Sequence, residues 1–192
     1  MAPSRAGGDI LAVQRGDPDA FDSLLSRYQN RLYRYLLRWV HEPATADDLF
    51  QQTWMRVLEH IHSYDPGRDF DAWLFAVARN IAIDHLRRRR PGSLDEPRED
   101  GQPLSAGLSS DAPGALELVL RSEQAELVQK ALASQPPLFR EILSLRFEEE
   151  MKLEEIAQVL GIPLGSVKSR LSRALEHLRA AFLRMQLEDG TP

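Results

Sequence analysis

The chain contains no cysteine. Disulfide frameworks and thiolate metal sites are thereby excluded, and the composition suits a reducing compartment. No apolar run approaches the roughly 20 residues that a membrane-spanning helix needs. The N-terminal stretch MAPSRAGGDI lacks the apolar core of a signal peptide. The expectation is a soluble, cytoplasmic protein without membrane insertion. Strand-type alternation is also missing, which leaves an all-α fold. There is no glycine-rich phosphate loop and no Ser/His/Asp arrangement. His60 and His62, beside Asp65, offer two ligands on opposite sides of a helix end, which do not converge on a metal. No catalytic residue, metal or cofactor is expected.

A strong basic balance is missing too: the formal net charge is −5. Its distribution reverses the first impression. Between Ser93 and Leu120 six acids face one base, a net of −5 that equals the whole formal charge. By contrast, Arg79 to Arg90 holds five arginines against Asp84, and Gly161 to Arg184 holds five bases against Glu176. Two basic patches are separated by an acidic tether, a pattern compatible with nucleic acid.

Residues 1–16 read as a weakly ordered, disordered tail. Asp17 to Val40 reads as a helical hairpin or one long helix, with Asp19 as its cap. Phe21, Leu24, Leu25, Tyr28, Leu32, Tyr35, Leu36 and Trp39 recur there at helical spacing. Pro43 breaks it. A second helix, about Ala46 to His62, buries Leu49, Phe50, Thr53, Val57 and Ile61. Ser63 to Asp69, with its Pro-Gly pair, is a loop. A third helix runs from Phe70 into the arginine run, with Phe70, Trp73, Leu74, Val77, Ile81 and Leu86 apolar. These elements make a first domain over 17–90. Residues 91–115, rich in Pro, Gly, Ser and acid, form a flexible acidic linker. The second domain, 116–185, contains four helices: Leu116 to Ser134, Leu138 to Phe147, and two more from Leu153 onward. Residues 186–192 are a frayed tail.

Those last two helices carry the most specific local pattern. In KLEEIAQVLGIPLGSVKSRLSRALEHLRAAFL, Leu153, Ile156, Ala157 and Leu160 make one apolar face. Gly161 stands where a left-handed cap is wanted, and Pro163 follows as a helix stop. Val167, Leu171, Ala174, Leu178 and Ala181 then form an inward stripe. At roughly 100° per residue, Ser169, Ser172 and Glu176 point away from it, with Lys168 and Arg173 on its shoulders. Short hydroxyls between cations suit the DNA major groove, and the arrangement is that of a helix-turn-helix. An amphipathic helical hairpin with a solvated face would show the same stripe.

Three segments in order resolve the choice: ADDLFQQTWMRV (Ala46 to Val57), FDAWLFAVARNIAIDHLRRRR (Phe70 to Arg90) and LEEIAQVLGIPLGSVKSRLSRALEHLR (Leu153 to Arg179). Together they resemble bacterial sigma factors, and the two-domain layout resembles the extracytoplasmic-function group. The resemblance implies a dissociable subunit that gives RNA polymerase promoter specificity. It implies that Lys168, Ser169, Ser172 and Arg173 read the minus-35 element, with Ser166, Arg170 and Arg146 at phosphates. The minus-10 element would bind as an unpaired strand in the first domain. Asn80 would read a base there, and Arg79, Arg87 and Arg88 would contact phosphates. The loop with Tyr64 would close over the flipped base, near Arg56 and His60. Trp73, at apolar spacing, reads as core rather than as a stacking platform. Asp47, Asp48, Gln51 and Gln52 would dock the clamp of the polymerase's largest subunit, and the flap of the second subunit is a further implied partner. A cognate anti-sigma factor is implied as well. A stand-alone helix-turn-helix repressor or activator is the rival reading, and it leaves Asn80 and the Gln51/Gln52 face without a role.

Overall fold

The computed structural model describes residues 7–89 and 125–189. Among the described residues every regular element is helical, as the missing strand pattern led us to expect. By its contacts the chain divides into two compact units, Met1–Arg98 with Glu154–Gly161, and Glu99–Leu153 with Ile162–Pro192. The expected linker over 91–115 and the start of the helix expected from Leu116 lie outside the described residues.

The first unit departs from expectation at its beginning. Residues 7–14, read as tail, form helix α1 (Gly7–Gln14), whose Ile10 and Val13 are buried. An eight-residue helix is marginal alone, so this one depends on tertiary packing rather than propensity. Asp9 and Arg27 pair at 2.8 Å, fastening α1 to the next helix. Helix α2 (Pro18–Val40) is one long helix. Its cap is Asp17 rather than Asp19: Pro18 has no N–H, so the first free amides belong to Asp19 and Ala20, and both donate to Asp17 Oδ1. His41, in the left-handed region at φ 56°, ends α2 by donating its N–H to Leu37 O.

Pro43 ends one helix by starting another. Helix α3 (Pro43–His60) begins three residues earlier than expected, with Pro43 in its first turn, and runs into a 3-10 turn, Ile61–Ser63. Helix α4 (Phe70–Arg89) opens with Asp69 Oδ1 accepting from the Ala72 N–H. Helices α2, α3 and α4 pack on one another, and α1 lies against α2 and the 3-10 turn. Two details of the expected core change. Trp54 is buried where Phe50 was expected, Phe50 being only half-buried. The buried face of α4 is Phe70, Ala72, Leu74, Phe75, Ala78 and Ala82, while Val77, Ile81 and Leu86 are half-buried. Fully buried Ala46, Ala78 and Ala82 are small enough for neighbouring helices to approach closely.

Tyr28 and Tyr64 are buried in this core, 2% and 7% exposed. Burial first, then nearby carboxylates (Asp71 for Tyr28, Asp69 and Asp65 for Tyr64), push both phenols well above the ordinary value of 10.0. The native state therefore holds these protons while the unfolded chain releases them above pH 10. Their stabilising contribution is present below that pH and lost as pH rises through it. Alkaline titration followed by phenolate absorbance and helical signal should show both tyrosines ionising only as the unit unfolds. Ionisation with the helices intact would contradict their burial.

In the second unit, α5 (Ala125–Ala133) is followed by α6 (Pro137–Leu143), which Pro137 opens. The last turn of the expected Leu138–Phe147 helix is a π turn, Ser144–Glu148, closed by Glu149 N–H to Ser144 O at 3.1 Å. Helix α7 (Leu153–Leu160) and helix α8 (Leu164–Asp189) flank Gly161, which has φ +65° as its cap position requires. Helix α8 packs on α5 and α6. It continues to Asp189, past the tail expected from residue 186.

Candidate nucleic-acid interface

The α8 stripe forms as its spacing requires: Val167, Ala174, Leu178 and Ala181 are buried and Leu171 is half-buried. That fixes the rotation of the helix, so the opposite face is outward by geometry. Ser166, Lys168 and Glu176 are exposed, while Ser169, Arg170, Ser172 and Arg173 are half-exposed. Ser169 Oγ donates to Ser166 O at 3.1 Å, and Arg173 Nε donates to Ser169 O at 3.5 Å. These bonds lay both side chains along the helix. They leave the Arg173 Nη groups, the donors that recognise guanine bidentately, outside the bond. Arg146 has a partner within its own unit. Its Nη1 donates to Met151 O at 3.0 Å, bracing the turn between the π turn and α7 where Glu150 takes φ 56°. A guanidinium has five donors, so this bracing role comes before any contact with a phosphate.

In the first unit Asn80, Arg87 and Arg88 are exposed along α4, and Arg79 is half-exposed. The arginines of the last turn also face the negative end of the helix dipole. A groove of about 240 Å³ between α3 and α4 is lined by Gln52, Met55, Arg56, Glu59, Ile81, Asp84, His85 and Arg88. It brings Arg56 and Arg88, both expected at the minus-10 strand, onto one feature with Gln52, expected at the polymerase. Arg56 pairs with Glu59 at 3.5 Å. Both are well exposed, so the pair stabilises by under about 1 kcal/mol and can be exchanged for another partner.

Tyr64, expected in the loop that closes over a flipped base, is buried, its ring 4.6 Å from Trp73 and 5.7 Å from Phe70, so the loop offers other side chains to solvent. Trp73 itself is half-buried in this cluster. The physical reason is aromatic: Tyr64 in the loop and Phe70 and Trp73 on α4 bury more area together than any one could against solvent. The exposed part of the loop is His62, Ser63, Asp65, Gly67 and Arg68, shaped by the Gly67 N–H donating to Asp65 Oδ1 at 2.9 Å. His60 is exposed at the end of α3.

Asp47, Asp48, Gln51 and Gln52 are all exposed on α3. Met55, 62% exposed, extends this face by one turn. No sequence signal marked it, because methionine at helical spacing is ordinarily core. Gln14 was missed also, lying in the presumed tail.

Models of two families match the chain: Sigma-70 region 2 over residues 24–91 and Sigma-70 region 4 over residues 131–180. RNA polymerase sigma-H factor of Pseudomonas aeruginosa is 33% identical over 176 residues, covering 90% of this chain and 91% of that protein. RNA polymerase sigma factor CarQ of Myxococcus xanthus is 34% identical, covering 90% and 95%. ECF RNA polymerase sigma factor SigM of Bacillus subtilis is 31% identical, covering 85% and 95%. Among solved structures, sigma factor RpoE of Bartonella quintana, crystallised with the anti-sigma factor NepR, superposes with a TM-score of 0.61 at 25% identity. That match covers 84% of this chain and 95% of the other. Two such helical regions in this order define a promoter-recognising transcription initiation factor. The chain belongs to the extracytoplasmic-function sigma factors.

Proposed function

We propose that the two basic faces divide promoter recognition between them. Lys168, Ser169, Ser172 and Arg173 read the minus-35 duplex in the major groove, with Ser166 and Arg170 at its edge. Asn80 reads an unpaired minus-10 base and the exposed loop between α3 and α4 closes over it, while Arg56, Arg79, Arg87 and Arg88 hold the strand's phosphates and His60 lies beside it. Asp47, Asp48, Gln51 and Gln52, extended by Met55, dock the polymerase clamp, and the second unit engages the flap. The protein acts by binding, with RNA synthesis left to the polymerase, and needs no cofactor. A cognate anti-sigma factor would mask these faces, as NepR is bound by its relative. The observation that carries this reading is the ordered match to both sigma-70 regions, each bearing an outward basic face.

Run-off transcription of genomic fragments with purified core polymerase, with and without this protein, is the test. New discrete transcripts are expected. Arg173→Ala should weaken them by about tenfold, the scale of one base contact. If core gains no specificity while the protein alone shifts duplex DNA, it is a stand-alone regulator instead.

A further inference from the structure

Helix α1 lies outside the region 2 match, which begins at residue 24, and carries none of the residues proposed to meet DNA or polymerase. Its last residue nevertheless reaches across the fold. Gln14 Nε2 donates to Ile61 O and to Tyr64 O, both at 2.7 Å. An amide nitrogen has two protons, so both are committed to backbone carbonyls, one at the first residue of the 3-10 turn and one just after it. Ile61 O also accepts from the Tyr64 N–H at 3.1 Å, so one carbonyl holds the turn together and ties it to α1. At the other end of the helix, Gly7 lies near Pro66: a Cβ there would stand 3.9 Å from Pro66 O, ordinary van der Waals contact. Ile10 and Val13, both buried, and the Asp9–Arg27 pair fix α1 itself.

The loop is thereby held from two sides. Tyr64 anchors it inward against Phe70 and Trp73, and Gln14 anchors its entering backbone. The tip, with Asp65, Gly67 and Arg68, is exposed. We propose that Gln14 is a positioning residue for promoter opening: it presets the loop between α3 and α4 in the conformation that receives an unpaired promoter base. This rests on the reading that the loop takes part in minus-10 capture. Fixing one backbone residue at the moment of binding would otherwise lower affinity by a factor of roughly 5–30, so a loop ordered beforehand binds a flipped base more tightly and more selectively.

The test uses the full chain assembled with core polymerase. The holoenzyme is bound to a randomised single-stranded DNA pool, and the base preference at each position is read by sequencing the bound fraction. Gln14→Met keeps the length and removes the donors; Gln14→Lys keeps donors. A triple glycine variant of the tip (Asp65→Gly, Pro66→Gly, Arg68→Gly) tests the loop reading itself. Affinity for core and thermal unfolding are followed for each. The expected result is a fall of about tenfold in preference at one base position in Gln14→Met and in the tip variant. Gln14→Lys should retain that preference, and core affinity should be unchanged throughout. If the tip variant loses the preference and Gln14→Met keeps it, the loop reading stands and Gln14 has no positioning role. A tip variant with undiminished preference removes the loop from base capture and the inference with it. Equal weakening at every position, with lower core affinity, would make Gln14 a residue of the fold alone.

Discussion

Asp71→Ala should destabilise the first unit by about 2–3 kcal/mol, the scale of removing a charged acceptor from a buried donor. Asp71 is shared by two α2 side chains. Tyr28 donates its hydroxyl to Asp71 Oδ1, and Arg31 Nη1 lies 3.0 Å from Asp71 Oδ2. The Arg31 guanidinium also lies over the rings of Tyr28 and Phe75, at 5.5 and 5.6 Å. Removing the carboxylate strands a buried hydroxyl and unseats the arginine. The ion pair adds little by itself, since both partners are near 30% exposed and solvent screens them. The tyrosine bond carries most of the effect. For a unit of this size each kcal/mol lowers the melting temperature by about 4–8 °C. Thermal unfolding of the full chain gives the value, and a double-mutant cycle with Tyr28→Phe apportions it. A change below about 0.5 kcal/mol, the range of an ordinary surface substitution, would mean that Asp71 does not organise the α2–α4 contact.

Asn80→Ala should leave stability unchanged and cut promoter-specific transcription deeply. Asn80 is exposed on α4, so truncation opens no cavity and leaves no buried partner unsatisfied. If its amide reads a base edge, the loss is about 1–3 kcal/mol, or roughly 5- to 150-fold. The paired measurement is run-off yield against melting temperature. Asn80→Asp separates the roles further, since it keeps size and acceptor while removing the donor. Full activity in Asn80→Ala would move base reading to another residue of the first unit.

Much of this protein was legible before folding. Helical spacing identified α2, α3 and α4 and the inward stripe of α8, because period alone reports which face of a helix meets a core. Gly161 and Pro163 marked the turn, since few residues tolerate a positive φ or stop a helix. Once the stripe placed Val167 and Ala174 inward, Lys168 was outward by geometry. The clusters of charge were local sequence facts.

Tertiary structure decided what period cannot express. Whether Phe50 or Trp54 is buried depends on the helix across from it, and Trp54 is the one that meets the Phe21 ring, 5.6 Å away. Tyr64 lay in a segment with every mark of a loop, yet two aromatic neighbours on α4 draw it inward. Gln14 lay in an apparent tail, and its partners are 47 and 50 residues away. Residues 1–16 carry too short an apolar pattern to imply order, so α1 exists because α2 and the 3-10 turn provide the surface that covers Ile10 and Val13. Local sequence determined the helices and their outward chemistry. Long-range burial and hydrogen bonding determined which polar groups hold the loop between α3 and α4, because an unpartnered donor or ring finds its partner only after the chain has closed upon itself.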